Sequence, residues 1–243
     1  MKYIILFLII AVAAGGCLPF DAPRNPVWDY DYSRMQLVQL ESPHEGQPIV
    51  TIYTAYGEIK AMLFPEYAPN TVANFIARIN EGFYENKPVV ALINGEIIFT
   101  GAYDEEGHQG VTDDGKLIEN EHSVNLWPFK GAMLAFSGRQ GFGDSRFWLI
   151  GGVPLSVENA EAMRNTVRRD ETRLFPDELI EAFENNESLP GAMGIYTIFG
   201  QVFEGFDVLD EILSLPTAED SSKPLEEILI ERIVLSEYSE YRF

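Results

Sequence analysis

The stretch from Val50 to Tyr84, VTIYTAYGEIKAMLFPEYAPNTVANFIARINEGFY, leaves few folds open to the chain. Ile52 and Tyr53 begin a β-rich run, and Tyr56-Gly57 is a turn signal. Beyond the turn, Glu58, Lys60 and Met62 alternate with Ile59, Ala61 and Leu63, the period of a strand with one buried face. Pro65 ends that strand, because proline has no N–H to give to a ladder. Pro69 suits the first turn of a helix. Val72, Phe75, Ile76 and Ile79 follow at i, i+3, i+4 and i+7, one apolar helix stripe. Gly82 is placed to close that helix with a left-handed cap. The expectation is a hairpin followed by a helix packed on it.

A length of 243 residues suits one domain with extensions. The net charge of −21 repels nucleic acid and anionic lipid headgroups, so no nucleic-acid partner is expected. Residues 1–16 read as a signal peptide. Met1-Lys2 is a short basic start, and Tyr3 to Ala14 is apolar but too short for a comfortable membrane span. Ala14-Gly15-Gly16-Cys17 resembles a bacterial lipoprotein signal, with Ala14 where leucine is usual. The favoured expectation is a lipid anchor on Cys17; the plainer one is a secretory signal with an incidental cysteine. Cys17 is the only cysteine, so no disulfide supports the fold. A lipid anchor implies a bacterial cell-envelope location, on the periplasmic or outer-membrane side.

Residues 17–48 read mostly as a tether, with prolines at 19, 23, 26, 43 and 48 and little periodicity. Met35 to Leu40 is expected either as a short docked strand or as a sticky patch on that tether. Val89–Ile93 and Ile97–Thr100 read as a hairpin around Asn94-Gly95. Ala132–Phe136, Phe147–Ile150, Tyr196–Phe203 and Leu225–Leu235 read as strands, and Phe206–Leu213 as a short helix. Residues 154–190 read as a helical insertion, with helices expected at Val157–Val167 and Pro176–Phe183. Residues 237–243 read as a tail.

With these elements in place, the chain resembles the cyclophilin-type peptidyl-prolyl isomerases. The family pattern G-x-I-x-x-x-L-F, P-x-x-A-P, T-V-x-N-F and G-[FY]-Y is matched by Gly57, Ile59, Leu63, Phe64, Pro65, Ala68, Pro69, Thr71, Val72, Asn74, Phe75, Gly82, Phe83 and Tyr84. The match resumes at Phe147-Trp148-Leu149, at Tyr196 to Val202 and at Gly205 to Asp210. It spans residues 49–236 and implies a mainly β fold: an eight-stranded closed antiparallel barrel capped by two helices. It also implies binding of proline-containing polypeptides and their cis–trans isomerisation, as a folding aid for extracytoplasmic proteins.

The resemblance implies where the site lies and how it departs from the family. The arginine position of the family's F-H-R-V holds Ala91, and its glutamine position holds Phe99. Ile97 replaces a pocket methionine, Phe147 and Trp148 stand in S-Q-F-F, Ala192 takes a pocket leucine's place and Tyr196 a rim histidine's. Ile97, Phe99, Phe147, Trp148, Ala192 and Tyr196 are therefore the expected substrate-binding residues. Arg146 enters the neighbouring strand as Ala91 leaves its own, so it is the expected substitute donor; the alternative is a salt-bridge partner in a site without catalysis. A non-catalytic peptide-binding or assembly module is the competing function, and a structural subunit using 154–190 as contact surface is a third. No cofactor or metal is expected. His44, His108 and His122 lack zinc spacing, and Asp104, Glu105, Glu106, Asp113 and Asp114 read as a solvated loop rather than a calcium site.

Overall fold

The computed structural model describes residues 25–104, 106–218 and 221–240. The initial hairpin is β1 (Pro48–Thr54) and β2 (Gly57–Leu63), paired with Ile52 opposite Ile59. Helix α1 (Pro69–Asn80) follows, with proline in its first turn as the sequence predicts. Its open N–H groups are met by Glu121, whose carboxylate accepts from the Asn70 and Thr71 amides at 3.0 and 2.9 Å. Gly82 takes φ +70° and returns its N–H to Ile79, closing the helix.

The remaining strands are β3 (Lys87–Pro88), β4 (Ala91–Ile93), β5 (Ile97–Thr100), β6 (Ile118–Glu119), β7 (Ala132–Phe136), β8 (Phe142–Gly143), β9 (Arg146–Ile150), β10 (Ile198–Glu204) and β11 (Leu229–Glu237). Nine of the eleven form one antiparallel sheet in the order β3-β11-β1-β2-β10-β7-β9-β5-β4. Its two edge pieces belong to one run. Val89 donates to the Ile228 carbonyl at 2.8 Å on one side, and Val90 donates to the Phe99 carbonyl at 2.8 Å on the other. Counting 87–93 as a single strand, the sheet closes on itself as the expected eight-stranded barrel, which leaves no bare edge. The short pair β6–β8 lies outside it. Asn94 and Gly95 take φ of +54° and +71°, the geometry that a tight two-residue turn requires.

The barrel interior holds Val50, Ile52, Ile59, Ala61, Leu63, Met133, Ala135, Phe147, Leu149 and Phe199. Helix α1 sinks Val72 and Phe75 into it, and Phe75 meets the rings of Tyr84, Phe147 and Phe199 at centroid distances of 5.1 to 5.5 Å. Helix α4 (Phe206–Leu213) adds Val208, Leu209, Ile212 and Leu213.

The insertion carries α2 (Val157–Asn165) and α3 (Asp177–Asn185), close to the expected spans. The expected tether is corrected for residues 25–47. This segment makes 3-10 turns at Pro26–Asp29, Tyr32–Arg34 and Val38–Leu40, and the last replaces the strand considered for 35–40. Val27, Trp28, Tyr30, Tyr32, Met35 and Leu37 pack with Trp127, Phe129 and the insertion's Met163, Phe175, Leu179 and Phe183 into a separate apolar cluster. Burying that many apolar side chains offsets the ordering entropy that a free tether keeps. The expected tail also begins later, because Glu237 still pairs with Pro48 and Tyr238 donates to the Gln47 carbonyl at 2.8 Å. The expected signal peptide and Cys17 lie outside the described residues.

Candidate functional site

Side chains alternate between the two faces of a strand, so register decides what shares the barrel's outer face. Ala91 lies opposite Phe99, Phe99 opposite Trp148, and Trp148 opposite Leu134. One step along, Ile93 lies opposite Ile97 and Ile97 opposite Ile150; one step the other way, Phe136 lies opposite Arg146. This brings Ala91, Ile97, Phe99 and Trp148 onto one surface.

Four rings make the surface a continuous aromatic wall. Trp148 meets Tyr196 at 4.7 Å and stacks on Phe136 at 5.2 Å with an interplanar angle of 19°. Phe136 meets Phe99 edge to face at 5.2 Å and Tyr196 at 6.3 Å. All four are half-buried, so each presents part of a ring to solvent. Ile97 and Ala192 are buried in the cluster beneath, as a floor. Burial raises the pKa of the Tyr196 phenol above its ordinary value, so it stays a neutral donor or acceptor. Phe136 was not among the expected residues, although it falls on the outer face of an expected strand.

Two expectations change. Phe147 is 1% exposed and points into the barrel, against Phe75, Tyr84 and Phe199; it supports the site from behind and does not line it. Adjacent strand residues cannot both face the wall, and Trp148 takes that face. Arg146 sits on the correct face, but its guanidinium is committed. Its Nη2 donates to Asp144 Oδ2 at 2.6 Å, its Nε to Asp144 Oδ1 at 3.0 Å, and its Nη1 to the carbonyls of Gly107 and His108 at 2.9 Å each. The side chains of Arg146 and Asp144 are 5% and 2% exposed. The guanidinium carbon lies 5.2 Å from the Phe136 ring centre, so Arg146 backs the wall as a cation–π partner and does not reach across it as a donor. Ala91 has no polar side-chain atom to take its place.

The loops around the wall are tied to it. Asn120 donates to the Ile195 carbonyl and the Glu121 amide to Thr197 Oγ1, which fixes the 195–197 segment bearing Tyr196. Ser137 Oγ lies 2.8 Å from the carbonyl oxygens of both Arg139 and Phe142, with one proton shared between them, and Arg139 lies over the Phe142 ring at 4.3 Å. Of the loop acids, Asp104 accepts from the His108 amide, Asp113 pairs with Arg78 and Asp114 with Lys116. Among the described residues no group of three or more His, Cys, Asp or Glu is placed to hold a metal ion.

A family model described as cyclophilin type peptidyl-prolyl cis-trans isomerase/CLD matches residues 49–235. A Staphylococcus aureus (strain USA300) protein, provisionally named a peptidyl-prolyl cis-trans isomerase, is 26% identical over 193 residues, which cover 79% of this chain and 94% of the relative. A Streptococcus pyogenes serotype M6 protein, provisionally named a bifunctional phosphatase/peptidyl-prolyl cis-trans isomerase, is 29% identical over 201 residues. That match covers 82% of this chain and 41% of the relative, so the chain spans about two fifths of that protein's length. Among solved structures, a Cryptosporidium parvum cyclophilin type peptidyl-prolyl cis-trans isomerase is similar with a TM-score of 0.61 and 25% identity, over 79% of this chain and 99% of its own. The same enzyme crystallised in the presence of the dipeptide Ala-Pro gives a TM-score of 0.59 and 26% identity, over 77% and 98% of the two chains.

Proposed function

The chain belongs to the cyclophilin-type peptidyl-prolyl cis-trans isomerase family, and on that premise we propose that it holds X-Pro segments against the wall of Phe99, Phe136, Trp148 and Tyr196 and isomerises them slowly. The observation that carries the reading is the ladder register that sets Ala91, Phe99 and Trp148 side by side on one face. A proline ring is apolar and rigid, so stacking it on half-buried aromatic rings removes water at little entropic cost. Rotation must then cross an amide barrier of roughly 18–20 kcal/mol. A dry apolar surface favours the twisted amide, which has lost charge separation. A donor aimed at that amide would help further, and losing one costs about a hundred- to a thousand-fold by analogy with oxyanion donors. Ala91 stands where the family places its arginine, and hence the turnover is slow.

The test is NMR exchange spectroscopy on an X-Pro peptide with the native protein and with Trp148→Ala. Binding that shifts the Trp148 indole signal, with accelerated cis–trans exchange abolished by Trp148→Ala, is the expected result. A native protein that leaves both peptide and indole signals unmoved sinks the reading.

A second reading is a non-catalytic module that binds proline segments. The complete engagement of Arg146 by Asp144 and two carbonyls favours it, because no substitute donor is then left on that strand. The same experiment separates the two: binding without accelerated exchange selects the module.

For location we propose a lipid anchor on Cys17 in a bacterial envelope, with extracytoplasmic polypeptides as clients. The support is the apolar Tyr3–Ala14 run and the small residues before Cys17. Radiolabelled palmitate incorporation lost in Cys17→Ser tests it. The 154–190 insertion is proposed as a contact with an envelope complex, on the strength of its exposed Val157 and Val167. Val157→Glu with Val167→Glu should then abolish co-purification of a partner that the native protein retains.

A further inference from the structure

We infer that Arg146 is a positioning residue that fixes residues 106–111, in the loop after β5, over the Phe99 end of the wall and thereby sets how tightly an X-Pro segment is held. The substrate rests on the proposed function; the geometry does not.

The loop leaves β5 directly after Phe99 and Thr100 and is pinned at both ends by one side chain. Ser145 Oγ donates to the Gly101 carbonyl at 2.8 Å and accepts from the Val111 amide at 3.0 Å. Between these points Arg146 donates to the Gly107 and His108 carbonyls, and the loop closes on itself where the Tyr103 amide donates to the Gln109 carbonyl at 2.7 Å. At Gly107 the backbone takes φ +81° and presses on the wall, where a Cβ would meet Val90 at 2.7 Å and Phe99 at 2.9 Å. On the loop's other side a Cβ on Gly110 would run into the Asp144 carboxylate. The loop is thus threaded between the Arg146–Asp144 pair and the Phe99 ring. Moving it moves Phe99, which packs on Phe136, which stacks on Trp148.

Arg146→Lys separates the two jobs of the side chain. A lysine keeps a charge for Asp144 but lacks the planar five-donor fork that also reaches two carbonyls. Gly107→Ala displaces the same loop without altering the pair. The experiment measures peptide KM and kcat by NMR exchange, amide hydrogen exchange over 107–111, and the Trp148 indole signal, for the native protein and both variants. A displacement of about 1 Å at a binding surface can cost up to about a hundred-fold. Loss of protection over 107–111, a KM raised about ten- to a hundred-fold and a kcat within about twofold are expected for both variants, since ground and transition states lose the wall alike. Protection lost with KM unchanged overturns the inference. So does a kcat that falls at constant KM, which would put the guanidinium on the reacting amide. A native protein that binds no X-Pro peptide overturns the proposed function instead; an unmoved Trp148 indole in Arg146→Lys would then overturn this inference as well.

Discussion

Ala91 stands directly opposite Phe99 in the antiparallel β4–β5 ladder, so a methyl group and a ring share the outer face where an arginine would reach along the wall. Opposed side chains in such a ladder are about 4.5–5.5 Å apart at Cβ. An arginine at 91 can therefore extend past Phe99 toward Trp148. Ala91→Arg should raise kcat/KM for an X-Pro peptide by about a hundred- to a thousand-fold, read in a protease-coupled assay. No gain, in a variant that folds, would mean that the reacting amide lies elsewhere.

The Arg146–Asp144 pair is buried enough that its two halves are not interchangeable with water. Asp144→Ala leaves a guanidinium enclosed with only carbonyl partners. Removing one partner of a buried pair costs about 3–5 kcal/mol, whereas replacing both by apolar groups is often neutral. Urea unfolding should show that loss for Asp144→Ala and a substantial recovery in Asp144→Ala with Arg146→Met. A loss under about 1 kcal/mol would indicate that water reaches the pair.

The hairpin at 48–63 and helices at 69–80, 157–165 and 177–185 were legible because alternation and 3.6-residue spacing are local signals. Closure of the barrel was not local; it came through the resemblance and depends on Val89 and Val90 facing different strands. The docking of residues 25–47 left no periodic trace, because 3-10 turns space Val27, Tyr30, Tyr32 and Met35 irregularly. At the site, Trp148 and Tyr196 were legible from the family pattern, but the pattern pairs Phe147 with Trp148, while strand alternation separates them. Arg146 was legible as a residue and not as a role. Its Asp144 partner lies two positions away on the same face, whereas Gly107 and His108 are brought to it only by the fold.

His122 is half-buried, and burial lowers its pKa below the ordinary value of 6.5. The unfolded chain then binds a proton at a higher pH than the folded one. The stability contributed by keeping this ring neutral is fully present above the unfolded pKa of about 6.5 and is lost as pH falls through the folded value. Melting curves between pH 7.5 and 5 should show the midpoint dropping on acidification, with a smaller drop in His122→Gln. Identical pH slopes would assign the acid sensitivity to other groups.

Gln39 carries the join between the N-terminal segment and the barrel. Its Nε2 donates to Gln201 Oε1 at 2.9 Å, and its Oε1 accepts from the Trp127 amide; Gln201 in turn donates to the Lys130 carbonyl at 2.6 Å. Gln39, Trp127 and Gln201 are all buried, so water does not replace a lost partner. Gln39→Ala strands one amide N–H and one side-chain oxygen, each worth about 1–3 kcal/mol when left unpaired. The variant should lose about 2–6 kcal/mol in urea unfolding, while Gln36→Ala, on the exposed side of the same segment, should lose little. The segment should also lose amide protection in Gln39→Ala before β1 and β2 do, since the barrel's own ladders are untouched. Equal protection in both proteins would mean that the apolar contacts of Val27, Tyr32 and Trp127 hold the segment without this hydrogen-bonded chain.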